Sequence, residues 1–393
     1  MDSTQARQLN TLHVLQTLHK EEQISRIEIS RKLGLSRPTV TFIVNELIEQ
    51  GIVQESHLAK STGGRPPVVL RITDHCRYVI GIDMGSSHIT MLLCDLNGNQ
   101  EILIDIEHNV DTDPAGTLSI ISKIVDQQHS ILQHSLLGLC FAVSSPVDQN
   151  GYLDPRILPE WNKISITEFF AEKNIPVLIE NDANAGAFAE LWWNQEVDDF
   201  IYLKLGTGIG AGIISDGKML HGNKGLVGEI GHIPLPNATQ ICRCGQQGCL
   251  EAIIGRHAIQ QSTIPLHEQA EFISQNLSFV LVPLIYALNP QKIIVWGDVD
   301  QFITKKLHAK IINKTLWPSM TSIQVDISPL GKNAIALGAC CLQSSRVGRG
   351  CQGGREERPD HGCRLTRRPV PFRRLWACRS TPLNSMRSLG IVI

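Results

Sequence analysis

The amino-acid sequence predicts an α/β protein, with two similarly built domains behind a small helical domain that ends in a hairpin. Three observations carry this. Apolar residues recur at helical spacing up to Gly51. From Tyr78 the pattern changes to apolar runs that end in Asp or Gly. The theme of strand, Gly-rich turn and second strand at 79–98 then returns at 200–217, which points to a duplicated build.

The N-terminal elements follow in order over 1–72. Leu9, Leu12, Val14, Leu15 and Leu18 form the stripe of a first helix. A short second helix, Arg26–Leu33, stops at Gly34. Ser36 is placed to cap a third helix, with Pro38 in its first turn, where the missing N–H does no harm. Val40, Ile43, Val44 and Leu47 give this helix one apolar face, and Gly51 ends it. "IVQES" and "PVVLRIT" read as extended pieces around the basic tip "KSTGGRPP".

Together these make a helix–turn–helix with a wing. The third helix turns Thr41, Phe42 and Asn45 outward, with Ser36, Arg37 and Thr39 at the end that enters the major groove first. Arg37 suits guanine or phosphate, and Thr39 and Thr41 suit base edges and methyls. Lys60 and Arg65 on the wing suit phosphates or the minor groove. A three-helix protein-interaction module would pack in the same way. Residues 1–72 carry 9 basic and 7 acidic groups, so two half-sites, and hence a homodimer or homotetramer, are expected for tight binding to operator DNA.

In the α/β body, "YVIGIDMG" ends at Asp83 and Gly85. "HITMLLCDLNGNQEILIDIEH" reads as two strands around an Asn-Gly turn. Residues 117–134 read as a helix, "LLGLCFAVSSPVD" and "IPVLIEND" as strands with polar ends, and "ANAGAFAELWW" as a helix. "DFIYLKLGTGIGAGIISDGKML" repeats the opening theme, "KIIVWGDV" is a further strand, and "NAIALGACCL" is a helix of small residues.

Composition splits the chain. Residues 1–343 have a net charge of −10, whereas 344–393 have +8 from 11 Arg and no Lys. That last segment, rich in Gly, Pro and Arg, reads as disordered or non-native; a basic nucleic-acid or membrane tail is the alternative. The polar start "MDSTQARQLN" and the lack of an uninterrupted apolar run of ~18 residues make a soluble cytoplasmic protein with no membrane partner the expectation. In a reducing compartment, 11 cysteines argue for thiols or a metal rather than disulfides. Three of them fall in "CRCGQQGCLE", which is either a metal site or a tight turn with buried thiols.

The motifs "ENDANAGAFAE" (180–190), "LGTGIGAGI" (205–213), "GEIGHIPL" (228–235) and "CRCGQQGCLE" occur in an order and spacing that resembles the ROK family of repressors, open reading frames and sugar kinases. The likeness runs over residues 5–343, and the winged helix places the chain with the family's repressor branch. It implies two ribonuclease-H-like domains facing a cleft, 78–180 and 181–343, as in hexokinase and actin. By resemblance Asn181, Asp182, Glu229, His232 and Glu251 line the site of a small sugar or sugar phosphate. By the same resemblance His232, Cys242, Cys244 and Cys249 are the expected ligands of a Zn2+ ion, structural because four protein ligands leave no open position. His221 and His257 are the other candidates for the fourth ligand.

The implied function is a sugar-responsive regulator of carbohydrate genes, such as those for xylose; an active kinase with an attached DNA-binding domain is the alternative. In a kinase Asp182 would be the catalytic base, and ATP and Mg2+ would sit on loops at Asp83, Gly85, Gly206, Thr207, Gly208, Gly210 and Gly297. The family's Gly-Gly-Thr run is here "DMGSSHI", and Gly297 is followed by Asp298, an acid facing the phosphates. Both changes weigh against phosphoryl transfer. The chain between Glu251 and "LNPQKIIVWG" is also shorter than the family pattern, as if part of a helical subdomain were missing.

Overall fold

Helix capping sets the N-terminal domain. Ser25 and Glu28 form a reciprocal capping box at the start of α2 (Arg26–Leu33), and Gly34 ends it in the left-handed region at φ 63°. The Ser36 hydroxyl accepts the Thr39 N–H at the start of α3 (Arg37–Glu49). With α1 (Ser3–Glu21), these helices bury Val14, Leu18, Ile29, Val40, Ile43, Val44 and Leu47 in one core. Strands β1 (Val53–His57) and β2 (Val68–Ile72) pair antiparallel as the wing.

In the computed structural model the described residues are 3–346, apart from 22, 58–67, 133–134, 149–150, 194–196, 298–300 and 315–322. Lys60, Arg65, Asp298, the side chain of Leu9 and the segment 347–393 therefore lie outside the described residues.

Among the described residues the body holds two five-stranded sheets. The first holds β3 (Tyr78–Gly85), β4 (His88–Asp95), β5 (Gln100–Glu107), β6 (Leu136–Val143) and β7 (Val177–Asn181) in the order β5-β4-β3-β6-β7. The second holds β8 (Phe200–Leu205), β9 (Ile209–Ser215), β10 (Lys218–Met219), β11 (Lys292–Gly297) and β12 (Gln324–Ile327) in the order β10-β9-β8-β11-β12. Each is an antiparallel meander of three strands followed by two parallel ones. The repeat seen in the sequence is thus a repeat of topology. Gly98, at φ 84°, makes the turn between β4 and β5 as the Asn-Gly pair predicts.

Helix α4 (Pro114–Leu132) covers the outer face of the first sheet with Leu118, Ile121 and Val125, and the one-turn helix α5 (Ile166–Phe169) adds Ile166 to the same core. On the second lobe, α7 (Leu250–Ile254) and α8 (Arg256–Gln261) lead to α9 (Leu266–Leu288), which packs with α10 (Gln301–Lys314). Helix α9 has the length and apolarity of a membrane span, yet it places Leu277, Val280, Leu281 and Ile285 in this lobe's core.

Helices α6 (Asp182–Trp193) and α11 (Ala334–Ser344) form the layer between the sheets. They touch at backbone distance: a Cβ on Gly338 would lie 1.8 Å from the carbonyl oxygen of Ala185. Helix α11 sits at the end of the range expected for the second domain, but it packs on the first sheet, with Ile335, Ala336 and Cys340 against Val79, Leu92 and Cys140. The small residues that let it approach are visible in the sequence; the sheet it approaches is not.

The winged-helix domain is seated on the body through α1. His19 meets the Trp193 ring edge-on at 4.5 Å, Leu12 reaches the α11 core, and Leu96 and Leu137 of the body pack on the winged-helix core. Burial and the charge of Lys218 hold the His13 pKa below its ordinary value.

Candidate ligand pocket and metal centre

Strand ends and helix starts bring the polar residues together. Asn181 closes β7 and Asp182 opens α6. The Asn181 side-chain oxygen accepts the N–H groups of Ala183 and Asn184, and its amide reaches the Ser145 carbonyl at 3.3 Å. It therefore caps the helix that presents Asp182. Asp182 is 3% exposed. One carboxylate oxygen, Oδ2, accepts both Ser144 Oγ–H and Lys204 Nζ, the latter at 2.5 Å. Lys204 comes from β8 and is itself nearly buried. It was not among the expected site residues; a single lysine inside "FIYLKLG" is the signal that could have found it.

Glu229 precedes the 3-10 turn Ile230–His232. Burial, then the charges of Asp182 and Glu251, push its pKa up to about 7. Glu251, on α7, accepts the Ile209 N–H at 3.0 Å and Arg243 Nε at 2.8 Å. Beside this cluster a cavity of about 610 Å³ opens between the first-lobe segment at Asp154–Arg156 and the second-lobe loop at Lys224. Four of the five expected sugar ligands thus share one charged cluster, and the fifth, Asn181, supports it.

His232 faces two ways. Its Nδ1 lies 3.6 Å from Cys242 Sγ, while Nε2 lies 3.9 Å from the Glu229 carboxylate. The ligand atoms of His232, Cys242, Cys244 and Cys249 all lie within 4.8 Å of one another. Their chemistry fits a soft dication. Burial and the neighbouring thiols push the Cys249 thiol up to about 12, a cost that a bound cation would reverse, and burial keeps the His232 imidazole towards its neutral form. His221 is elsewhere, 3.0 Å from Glu180.

The phosphate-type loops are altered in space as well as in sequence. Asp83 is buried and paired with His88 Nε2 at 3.2 Å. The His88 ring lies over Gly85, where a Cβ would come within 2.0 Å of it. The hydrogen bond to Asp83 outweighs burial and raises the His88 pKa. The loop of Gly206, Thr207, Gly208 and Gly210 joins β8 to β9 and is braced on α7 and α8: the Ile209 N–H reaches Glu251 of α7, and the Arg256 N–H at the start of α8 reaches the Gly206 carbonyl. Gly297, at φ 113°, ends β11 beside Leu205.

On the reading head, Ser36, Arg37, Thr41, Phe42 and Asn45 are exposed and Thr39 is half-buried. Asn45 is less free than its position suggests, since its side-chain oxygen accepts Arg26 Nη2 at 3.1 Å. Phe42 is 54% exposed, with the Arg7 guanidinium over its ring.

A ROK family profile matches residues 79–346, and a winged helix-turn-helix DNA-binding profile matches residues 7–54. Among curated relatives, the xylose repressor of Caldicellulosiruptor bescii is 27% identical over 387 residues, covering 86% of this chain and 96% of that one. The xylose repressor of Bacillus subtilis is 28% identical, covering 86% and 95%. The DNA-binding transcriptional dual regulator NagC of Escherichia coli is 27% identical, covering 86% and 92%. A solved ROK family transcriptional regulator, a homolog of the E. coli MLC protein, has the same fold with a TM-score of 0.70 at 23% identity, covering 86% of this chain and 96% of that one. A ROK glucokinase from Streptomyces griseus, solved with glucose and AMPPNP, aligns at 0.57 and 23% identity, covering 67% and 98%.

Proposed function

The chain belongs to the ROK family, and from that premise we propose that it is a DNA-binding transcriptional repressor whose two-lobed body senses a small sugar or sugar phosphate. One observation carries the reading. Helix α6 starts at Asp182 in the charged pocket and ends at Trp193 against His19 of the DNA-binding domain. A sugar that favours one arrangement of the lobes therefore bears on the seat of the reading head through a single helix. Binding and DNA affinity are then thermodynamically linked. The protein works in the cytoplasm as a homodimer or homotetramer, with α3 in the major groove.

In this reading the pocket binds without phosphorylating. A base must take the proton of the attacking hydroxyl. Asp182 Oδ2 is already engaged by an ammonium and a hydroxyl, and His88 covers Gly85. His232, Cys242, Cys244 and Cys249 would hold Zn2+, which would brace their loop, and the His232 nitrogen not facing the thiols lies towards Glu229.

The test is a gel shift on the chain's own upstream DNA, with xylose, glucose and N-acetylglucosamine added in turn. Sequence-specific, salt-sensitive binding altered by one sugar is expected. Binding indifferent to sequence and to every sugar would sink the proposal. ATP turnover that depends on sugar and is lost in Asp182→Asn would replace it with the kinase reading.

A further inference from the structure

Arg243 stands between two of the clustered cysteines, yet its side chain leaves the thiols for the carboxylates of Glu251 and Asp111. Nε donates to Glu251 Oε1 at 2.8 Å. Nη1 lies 3.7 Å from Asp111 Oδ2, in the other lobe. A Cβ on Gly208 would fall 3.1 Å from Nη2, so the guanidinium also packs on the glycine loop between β8 and β9. Both Arg243 and Asp111 are about two-thirds withdrawn from water, and Glu251 nearly wholly so.

Asp111 is well anchored in turn. Its loop is stitched to the turn after β3 by the His108 N–H on the Ser87 carbonyl and the Val110 N–H on the Ser86 carbonyl. Trp161 Nε1 holds the Val110 carbonyl at 2.8 Å. Burial raises the Asp111 pKa, and Arg243 is the first of the groups that oppose this. One guanidinium therefore contacts the Glu251 carboxylate of α7, the glycine loop and the opposite lobe. Only a planar fork with several donors can reach all three at once.

We propose that Arg243 is a positioning residue of the pocket: it aims the Glu251 carboxylate and ties the metal-bearing loop to Asp111, so that seating of this loop and closure of the two lobes are one event. The inference rests on the sugar reading above and names how that site is held. It also predicts that metal occupancy affects ligand affinity through Arg243 rather than through the pocket as a whole.

The experiment uses the full chain, loaded with zinc. The ligand is whichever of D-xylose, D-glucose and N-acetyl-D-glucosamine the wild-type protein binds most tightly by calorimetry. Arg243→Met is expected to weaken binding at least tenfold with the zinc content unchanged. Arg243→Lys, which keeps the charge but not the fork, should weaken it about fivefold, since one donor group cannot span both carboxylates. Asp111→Asn should cost severalfold in the wild-type background and nothing further beside Arg243→Met. Binding within twofold of wild type in either zinc-loaded Arg243 variant would overturn the proposal. So would an Asp111→Asn effect of equal size in both backgrounds. A wild-type chain that binds none of the three sugars would remove the sugar reading itself, and this inference with it. If Arg243→Met fails to load zinc, the Arg243→Lys result decides.

Discussion

Replacing Lys204 by Met tests the centre of the pocket. Lys204 and Asp182 meet at 2.5 Å with side chains 10% and 5% exposed. At an effective dielectric of about 20, charges at that distance attract by roughly 6–7 kcal/mol. Desolvation of the two ions offsets much of this, so the pair's net contribution is small, but losing one partner strands the other. Lys204→Met keeps the side-chain length and leaves Asp182 with the Ser144 hydroxyl alone. A loss of about 3–5 kcal/mol is expected. Asp182→Asn strands the ammonium in the same way. The double variant removes both charges and should lie within about 1–2 kcal/mol of wild type, leaving a coupling energy of about 4 kcal/mol or more. Urea unfolding of the four proteins at neutral pH reads this directly. Coupling below about 0.5 kcal/mol, with the single losses simply adding, would refute a buried ion pair at the heart of the site.

Three further outcomes are expected. Arg37→Ala removes an exposed donor at the start of α3 and should cost about 1–3 kcal/mol of operator affinity; an unchanged gel shift would show that α3 does not read DNA. Cys244→Ser should lower bound zinc and the thermal midpoint and weaken sugar binding, and a variant with full zinc and wild-type affinity would refute the metal site. The Glu180–His221 contact joins the two lobes, and it raises the His221 pKa. In Glu180, burial pushes upward, but His221, Asn184 and the Asn181 N–H together hold the pKa below the ordinary value. The His221 contribution is complete below its unfolded value of 6.5 and fades as pH rises through the higher folded value. That of Glu180 is complete above its unfolded value of 4.5 and fades as pH falls through the lower folded one. His221→Asn should therefore reduce stability most near pH 6 and least near pH 9; thermal midpoints with no such trend would remove the latch.

Much of this protein is decided locally, and such features are legible in its text. Ser36 and Gly34 set helix boundaries through bonds within a few residues, so the turn between α2 and α3 follows from the sequence. The cysteine spacing draws three thiols together within one short loop, and His232 joins them from ten residues earlier. The strand, glycine turn and strand written twice fold into two sheets of the same order, because register and alternation are short-range properties.

Other features depend on which surfaces meet across the chain. A lysine in an apolar strand looks like an interruption until β8 lies beside the start of α6 and Asp182 receives it. Arg243 looks like filler between cysteines until the lobes bring Asp111 to it. His88 covers Gly85 only because β3 and β4 are paired in register. Helix α11 returns to the first sheet, and Trp193 finds His19, through packing that no local propensity specifies. The sequence by itself determined the kinds of element, the grouping of three thiols with one imidazole and the chemistry on offer. The tertiary structure decided which charges neutralise one another and which helix joins the pocket to the DNA-binding domain, because both depend on contacts between residues far apart in the chain.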